Sequence, residues 1–163
     1  MTAVLVVAAL ALLGALRTTA AQTNAIAPEA VLHTWYKLSL ELVRHTPTYS
    51  PPVASRSFAY LGVTAFEAVA SGSDELRSLA GQLNGLTAVP QRAPGQTYDD
   101  AVVLRAALAS AVRNLFGNTG PTGQRVMASV EEKLRAAVSP ALPADVVARS
   151  EAYGEAVATH VLE

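Results

Sequence analysis

Residues 29–70 decide the fold class, and they read EAVLHTWYKLSLELVRH (29–45), TPTYSPP (46–52) and VASRSFAYLGVTAFEAVA (53–70). In the first part, apolar residues recur at helical spacing, at Val31, Trp35, Leu38 and Leu42. The three prolines of the middle part remove backbone donors and bias the residues before them toward extended conformations. The pattern therefore predicts two helices that are joined by a rigid, non-helical connector.

The second of these helices is poor in charge and rich in small residues. One side of it carries Ala54, Phe58, Leu61, Ala65 and Ala68. Because Ala59 and Gly62 on other sides are also small, neighbouring helices could approach closely, and we expect this helix to be central. Glu67 is the one charge in its second half, and we expect a paired, structural carboxylate there, since a buried charge needs compensation.

Four further helical patterns follow, over residues 74–84, 97–116, 122–138 and from residue 144 onward. The short pattern begins after Ser73 and ends at Gly85. Its leucines, Leu76, Leu79 and Leu83, are predicted to face inward. Thr97 and Asp100 have the spacing of a capping box at the start of the next one. No alternating strand pattern or fixed-period repeat occurs. The sequence predicts an all-α bundle of about six helices.

The last helical pattern has no stop signal after it. Its inward stripe consists of Val146, Ser150, Tyr153, Val157 and Val161. No Gly, Asn or Pro follows the stripe to end the helix. We expect these helices to be part of a larger bundle. The stripe of the last helix would then be uncovered in this chain, which predicts self-association through apolar helix faces.

The first 21 residues predict export. Residues 3–16 form an apolar run of 14 residues, about 21 Å long as a helix and too short for the roughly 30 Å core of a bilayer. Small residues before Gln22 suit cleavage after Ala21. We therefore assign residues 1–21 to a signal peptide and 22–163 to a helical domain that is periplasmic or secreted, with no stable membrane span after cleavage. An uncleaved amphiphilic anchor is the alternative.

Composition excludes several classes of function. Twelve basic residues stand against thirteen acidic ones, without a basic run that could neutralise a series of phosphates, so we expect no nucleic-acid partner. The chain has no cysteine, which excludes disulfides, thiolate metal sites and cysteine nucleophiles.

No complete catalytic, cofactor-binding or metal-binding set of residues is visible. The three histidines, His33, His45 and His160, have no partner at ligand spacing. Gly117, Gly120 and Gly123 superficially look like a phosphate cradle, but the Gly-Lys-Ser/Thr ending of a phosphate-binding loop is missing. Trp35 and Tyr36 are expected to fill the core. We therefore assign no site residue, and no cofactor, to this chain.

Several segments nevertheless resemble one enzyme family. They are HTWYKL (33–38), VRHTPTYSPPVASR (43–56), FAYLGVTAFEA (58–68), LAGQLNGL (79–86) and the YGxxVA pattern of residues 153–158. These segments are similar to the amino-terminal helices of bacterial vanadium-dependent haloperoxidase-like proteins, which are grouped with the type-2 phosphatidic acid phosphatases.

The resemblance implies a helical-bundle enzyme that holds vanadate, or a phosphoryl group, on a histidine. In that family Lys and Arg neutralise the oxygens while a second histidine handles protons. The family's motifs are Lys, six residues, Arg-Pro; Pro-Ser-Gly-His; and Ser-Arg, five residues, His. Lys37 and Arg44 have the first spacing, but His45 replaces the proline. Ser55-Arg56 begins the third motif, but Gly62 replaces its histidine.

Two hypotheses follow. In the first, the chain is the amino-terminal helical part of an exported haloperoxidase or phosphatase, inactive by itself because the anion-binding motifs lie elsewhere. The full-length parent would oxidise halides with peroxide or hydrolyse phosphoesters. In the second, the chain is a complete, non-catalytic helical binding or interaction module.

Overall fold

The protein, described here from a computed structural model that covers residues 26–138 and 141–163, is an all-α bundle. Its described residues contain no strand and form five helices, which are α1 (Pro28–His45), α2 (Pro51–Ala70), α3 (Asp100–Leu115), α4 (Pro121–Val138) and α5 (Ala144–Leu162). The predicted fold class is confirmed, but a sixth helix is absent from these two ranges. Within them, no helix combines the length and hydropathy that a bilayer crossing needs.

Prolines define where three of the helices begin. Pro28, Pro51 and Pro121 each occupy the first position of a helix, where the missing N–H has no intrahelical partner to lose and the fixed φ suits the helix. The connector after α1 is non-helical, as predicted. Helix α2, however, begins at Pro51 rather than at Val53 because both prolines of the pair are accommodated in its first turn.

Helix α3 occupies the centre of the bundle and contacts each of the other four helices. Eleven of its sixteen residues are buried, and they surround it on all sides because Val, Leu and Ala alternate with few polar residues. The prediction that α2 would be central is therefore wrong. Small residues let a helix pack closely, but it is the buried circumference that makes a helix central.

The predicted inward faces of α1 and α5 are confirmed. Val31, Trp35, Leu38 and Leu42 are all buried on α1, and all five residues of the α5 stripe are buried. On α4 the buried face is turned by about one residue relative to the prediction, since Met127 is buried while Val126 is exposed.

The apolar stripe of α5 packs against α3, so the prediction of an uncovered stripe on the last helix is wrong. Gly154 makes this contact possible, because a Cβ atom at this position would overlap the carbonyl oxygen of Val103 and lie 3.0 Å from the Cβ of Ala106. The two helix backbones are therefore nearly in contact.

Residues 74–84 form bends, an irregular stretch and turns rather than the predicted third helix. Leu76 and Leu83, which were expected to face inward, are each 41% exposed. Glu67 explains the difference, because its Oε1 accepts a hydrogen bond from the backbone N–H of Leu79 at 2.6 Å. Gly81, with a φ of 74°, then turns the chain in a conformation that helices do not continue through.

The cap of α3 also differs from the predicted capping box. The N-cap is Asp99, whose Oδ1 accepts from the backbone N–H of Val102 at 2.9 Å, while Thr97 lies further upstream. The backbone N–H of Asp99 donates to the buried Ser150 hydroxyl at 2.9 Å, which ties the start of α3 to α5. The predicted signal peptide, residues 1–21, and residues 139–140 of the break before α5 lie outside the described residues.

Candidate functional site

A cavity of about 540 Å³ lies between the carboxyl end of α1 and the amino end of α4. Its floor is apolar and includes Leu38 and Leu42, and its rim carries His45, Asn118 and Thr122. A cavity of this size, with an apolar floor and a few polar groups at its rim, is a place to look for convergent chemistry.

The glycine-rich turn beside this cavity serves packing. A Cβ atom on Gly123 would lie 2.6 Å from Oγ1 of Thr119 and 3.2 Å from Cδ2 of Leu42, so glycine is needed to bring α4 against α1. No Lys follows Gly123 in the sequence to reach a phosphate. Helix packing therefore accounts for the glycine at position 123.

A small polar lock holds the connector after α1 against the end of α3. The hydroxyl of Tyr49 contacts the carbonyl oxygen of Leu115 at 2.9 Å and the amide oxygen of Asn118, whose Nδ2 donates to Thr48 Oγ1 at 3.0 Å. Burial raises the pKa of Tyr49 and of Tyr36 above the ordinary tyrosine value. Tyr49 is therefore a structural donor rather than an acid.

The three histidines are not brought together. His33 and His45 lie on the exposed surface of α1, about 18 Å apart along the axis at roughly 1.5 Å per residue. His45 is 3.4 Å from the carboxylate of Glu41. His160, on α5, lies 3.2 Å from the hydroxyl of Thr87. Each of these contacts is with a different non-histidine residue, so the three imidazoles do not converge.

The basic residues that partly match the family motifs are also dispersed over the surface. Lys37 and Arg44 are exposed on α1, and Arg44 forms an exposed pair with Glu41 at 3.8 Å. Arg56 lies over the ring of Tyr60 at 5.4 Å. None of them shares a pocket with a second basic side chain and a histidine.

These side chains do not fit vanadate or a phosphoryl group. Holding such an oxyanion needs several cationic groups around a histidine in a water-poor pocket. In residues 26–138 and 141–163 the candidate cations are exposed, and no group of three or more His, Asp or Glu could hold a metal ion. We derive no catalytic step from these residues.

The buried charge of the molecule lies elsewhere, in a network that joins α3, α4 and α5. The guanidinium of Arg105 is only 1% exposed; it bonds Glu151 and lies 3.9 Å from Glu131. Arg113 and Arg135 bind the same carboxylates from the outside. Burial lowers the pKa of Arg105, and the negative charge of Glu151 opposes that shift.

This network is a structural clamp rather than an oxyanion site, because its cations already face two carboxylates. Sequence reasoning did not single out Arg105. The available signal was Arg105 as the single charge within AVVLRAALASAV (101–112), an otherwise uncharged stretch of α3. The partners Glu131 and Glu151 are 26 and 46 residues away, and no local spacing connects them to Arg105.

Glu67 and Trp35 lie where the sequence interpretation expected them. Glu67 is 2% exposed and borders a cavity of about 250 Å³ with Ser71, Ser73 and Tyr153. Its bond to Leu79 gives it a structural role, although its partner is a backbone N–H rather than a cation. Trp35 is fully buried in the core.

Comparisons with known proteins identify the fold. No protein-family model matches the chain, and no curated protein matches it. Among solved structures, the chain is similar to a crystal structure described as that of the first bacterial vanadium-dependent iodoperoxidase, with a TM-score of 0.68 and 33% sequence identity. The similarity covers 82% of this chain and 30% of that chain.

The described helices are thus an all-α bundle of the vanadium haloperoxidase type. The resemblance that the sequence motifs indicated is confirmed at this level, and the chain has a haloperoxidase-like fold. It spans about 30% of the length of the iodoperoxidase that it matches.

Proposed function

We propose that this chain is the amino-terminal helical part of an exported vanadium-dependent haloperoxidase-like enzyme. One observation carries the proposal: 82% of the chain matches the iodoperoxidase at 33% identity, while the match occupies only 30% of that protein. The remaining 70% of such an enzyme would hold the three anion-binding motifs.

In this proposal the five helices act as a scaffold. Their buried charged side chains already have partners within the bundle, as in the contact of Arg105 with Glu151 and the hydrogen bond that Glu67 accepts from the Leu79 N–H. Vanadate would be held by residues outside this chain. The full-length enzyme would oxidise a halide with peroxide in the periplasm or outside the cell, and hydrolysis of a phosphoester is the alternative chemistry of the same fold.

The gene beyond codon 163 tests the proposal directly. We expect an in-frame continuation that carries the three motifs, and we expect its product to oxidise iodide only when vanadate and peroxide are present. Phosphatase activity without halide oxidation would instead show that the full-length enzyme hydrolyses phosphoesters. A stop codon at this position would contradict the proposal and favour a non-catalytic helical interaction module.

The present chain supplies the matching negative control. Expressed alone, it should neither oxidise iodide nor broaden the vanadium-51 resonance of added vanadate, because Lys37, Arg44 and Arg56 are exposed on its surface and Arg105 is already bonded to Glu151. Vanadate binding by this chain, abolished by substitution of one of its histidines, would show that the site analysis above is wrong.

A further inference from the structure

The carboxylate of Glu67 is buried at the wall of a cavity, and no cation pairs with it in residues 26–138 or 141–163. Its Oε1 accepts from the Leu79 N–H at 2.6 Å. Oε2 accepts no hydrogen bond from the described residues, yet it is not one of the side-chain atoms that are fully enclosed without a partner. It therefore faces the cavity of about 250 Å³ that Glu67 borders, which we call the Glu67 cavity. A buried carboxylate with one donor is costly unless a further partner compensates it.

The basic side chain beside this cavity, Arg92, already has an acidic partner. Its Nη2 lies 2.6 Å from Oδ1 of Asp100, and its Nε donates to Oγ of Ser71, a residue of the cavity wall, at 3.2 Å. Arg92 and Asp100 therefore compensate each other and leave the charge of Glu67 in place. The exposed residues 74–77 add two acids and one base. The surroundings of the cavity are thus net negative and attract a cation.

Two neutral side chains of the cavity wall retain acceptor capacity. Nε2 of Gln91 donates to the Val89 carbonyl at 2.9 Å, which leaves its Oε1 as an acceptor. Oγ of Ser78 accepts from the Ala80 N–H at 3.0 Å and retains a second lone pair. Together with Oε2 of Glu67, three oxygen acceptors border the same cavity. A primary ammonium group has three N–H donors and no acceptor, so its hydrogen-bonding capacity matches this set.

The remainder of the cavity wall is apolar, which favours an organic cation over a metal ion. It consists of Ala70, Leu76, Val89, Pro90 and the ring of Tyr153, whose hydroxyl donates to the Pro90 carbonyl at 2.9 Å. Such a wall can contact an alkyl chain but offers a metal ion no ligand. Ca²⁺ needs about six to eight oxygens, whereas the cavity has one carboxylate. Its volume is several times the roughly 30 Å³ of one liquid water molecule, so a small organic molecule fits.

We propose that the Glu67 cavity binds a small primary amine in its ammonium form. The ammonium group lies against Glu67, with Ser78 and Gln91 as further acceptors, and the alkyl part lies against Leu76 and Val89. The charge of the ligand then compensates the buried carboxylate, while its apolar part is removed from water. This inference depends on residues 67–91 and Tyr153 and is independent of the proposed function.

Titration of the full chain with n-propylammonium chloride, followed by the NMR signals of the backbone amides, tests the proposal. This probe is charged at neutral pH, as a lysine side chain is. We expect saturable shifts at Ser78, Leu79 and Gln91 with a dissociation constant of about 1 mM or lower. The uncharged 1-propanol, which has the same carbon chain, should bind at least about tenfold more weakly. The absence of saturation, or equal saturation by 1-propanol, potassium chloride or calcium chloride, overturns the proposal.

Glu67→Gln separates the binding role of the carboxylate from its role in holding the turn. The variant keeps an acceptor for the Leu79 N–H but removes the charge, so we expect propylammonium to bind at least about tenfold more weakly. Glu132→Gln, which removes an exposed acid on α4, is the matched control and should bind as the unchanged chain does. Undiminished binding by Glu67→Gln, or an equal loss in the control, contradicts the proposal. The comparison of propylammonium with 1-propanol needs no variant and decides independently of any effect of Glu67→Gln on folding.

Discussion

Replacement of Glu151 by glutamine tests the electrostatic clamp at the centre of the bundle. The guanidinium of Arg105 is 1% exposed and directly bonds Glu151, while its second carboxylate, Glu131, is 3.9 Å away and is shared with two other arginines. Removal of one partner from a buried ion pair costs about 3–5 kcal/mol, because the other charge remains buried. Since Glu131 still compensates Arg105 in part, we expect about 3 kcal/mol.

Equilibrium unfolding in urea, followed by the helical circular dichroism signal, measures this loss. Glu155→Gln is the matched control, because Glu155 is exposed on the same helix one turn later. Its effect on the free energy of unfolding should stay within about 0.5 kcal/mol. An effect of Glu151→Gln no larger than that of the control would refute the clamp.

Arg105→Met distinguishes the free energy that the ion pair contributes from the free-energy cost of leaving one buried charge without its partner. This change removes the buried cation, while Glu151 keeps Arg135 at 3.7 Å and Glu131 keeps Arg113. Replacement of a buried ion by an apolar residue of similar volume is often neutral or stabilising. We therefore expect a smaller loss than for Glu151→Gln, and the opposite order would show that the reasoning on desolvation is wrong.

Three further predictions concern other contacts. Gly154→Ala should destabilise the protein by about 2 kcal/mol in the same urea experiment, because the overlap with the Val103 carbonyl outweighs the roughly 1 kcal/mol that alanine gains in a helix. Glu67→Ala should make residues 73–86 sensitive to limited proteolysis, whereas Glu67→Gln, which keeps an acceptor for the Leu79 N–H, should not. The raised pKa values of Tyr36 and Tyr49 favour the neutral phenol in the folded state, so their contribution to stability is complete below about pH 10, the usual tyrosine pKa, and is lost as the pH rises further. Absorbance at alkaline pH should show late titration of Tyr36 and Tyr49, and Tyr49→Phe should remove one of these late-titrating groups.

The sequence shows no complete oxyanion-binding set, and His33, Lys37, Arg44 and His45 all lie on the exposed surface of α1. It could not predict the clamp around Arg105, because Glu131 and Glu151 reach that side chain only after α4 and α5 have packed on α3.

By itself the sequence determined the helical class, the connector after α1 and the inward faces of α1 and α5. These features depend on interactions between residues that are close in the sequence. Proline geometry affects only its immediate neighbours, and the 3.6-residue period relates positions three or four residues apart. The relation to the haloperoxidase fold was also visible in the segments around residues 33–86.

Only the tertiary structure decided which helix is central, which faces stay uncovered and whether residues 74–84 form a helix. The leucine pattern of that segment favoured a helix, but the segment is non-helical and its Leu79 N–H donates to the buried carboxylate of Glu67 instead. A short helix is only marginally stable by its own propensity. A contact with α2 is therefore sufficient to compete with it.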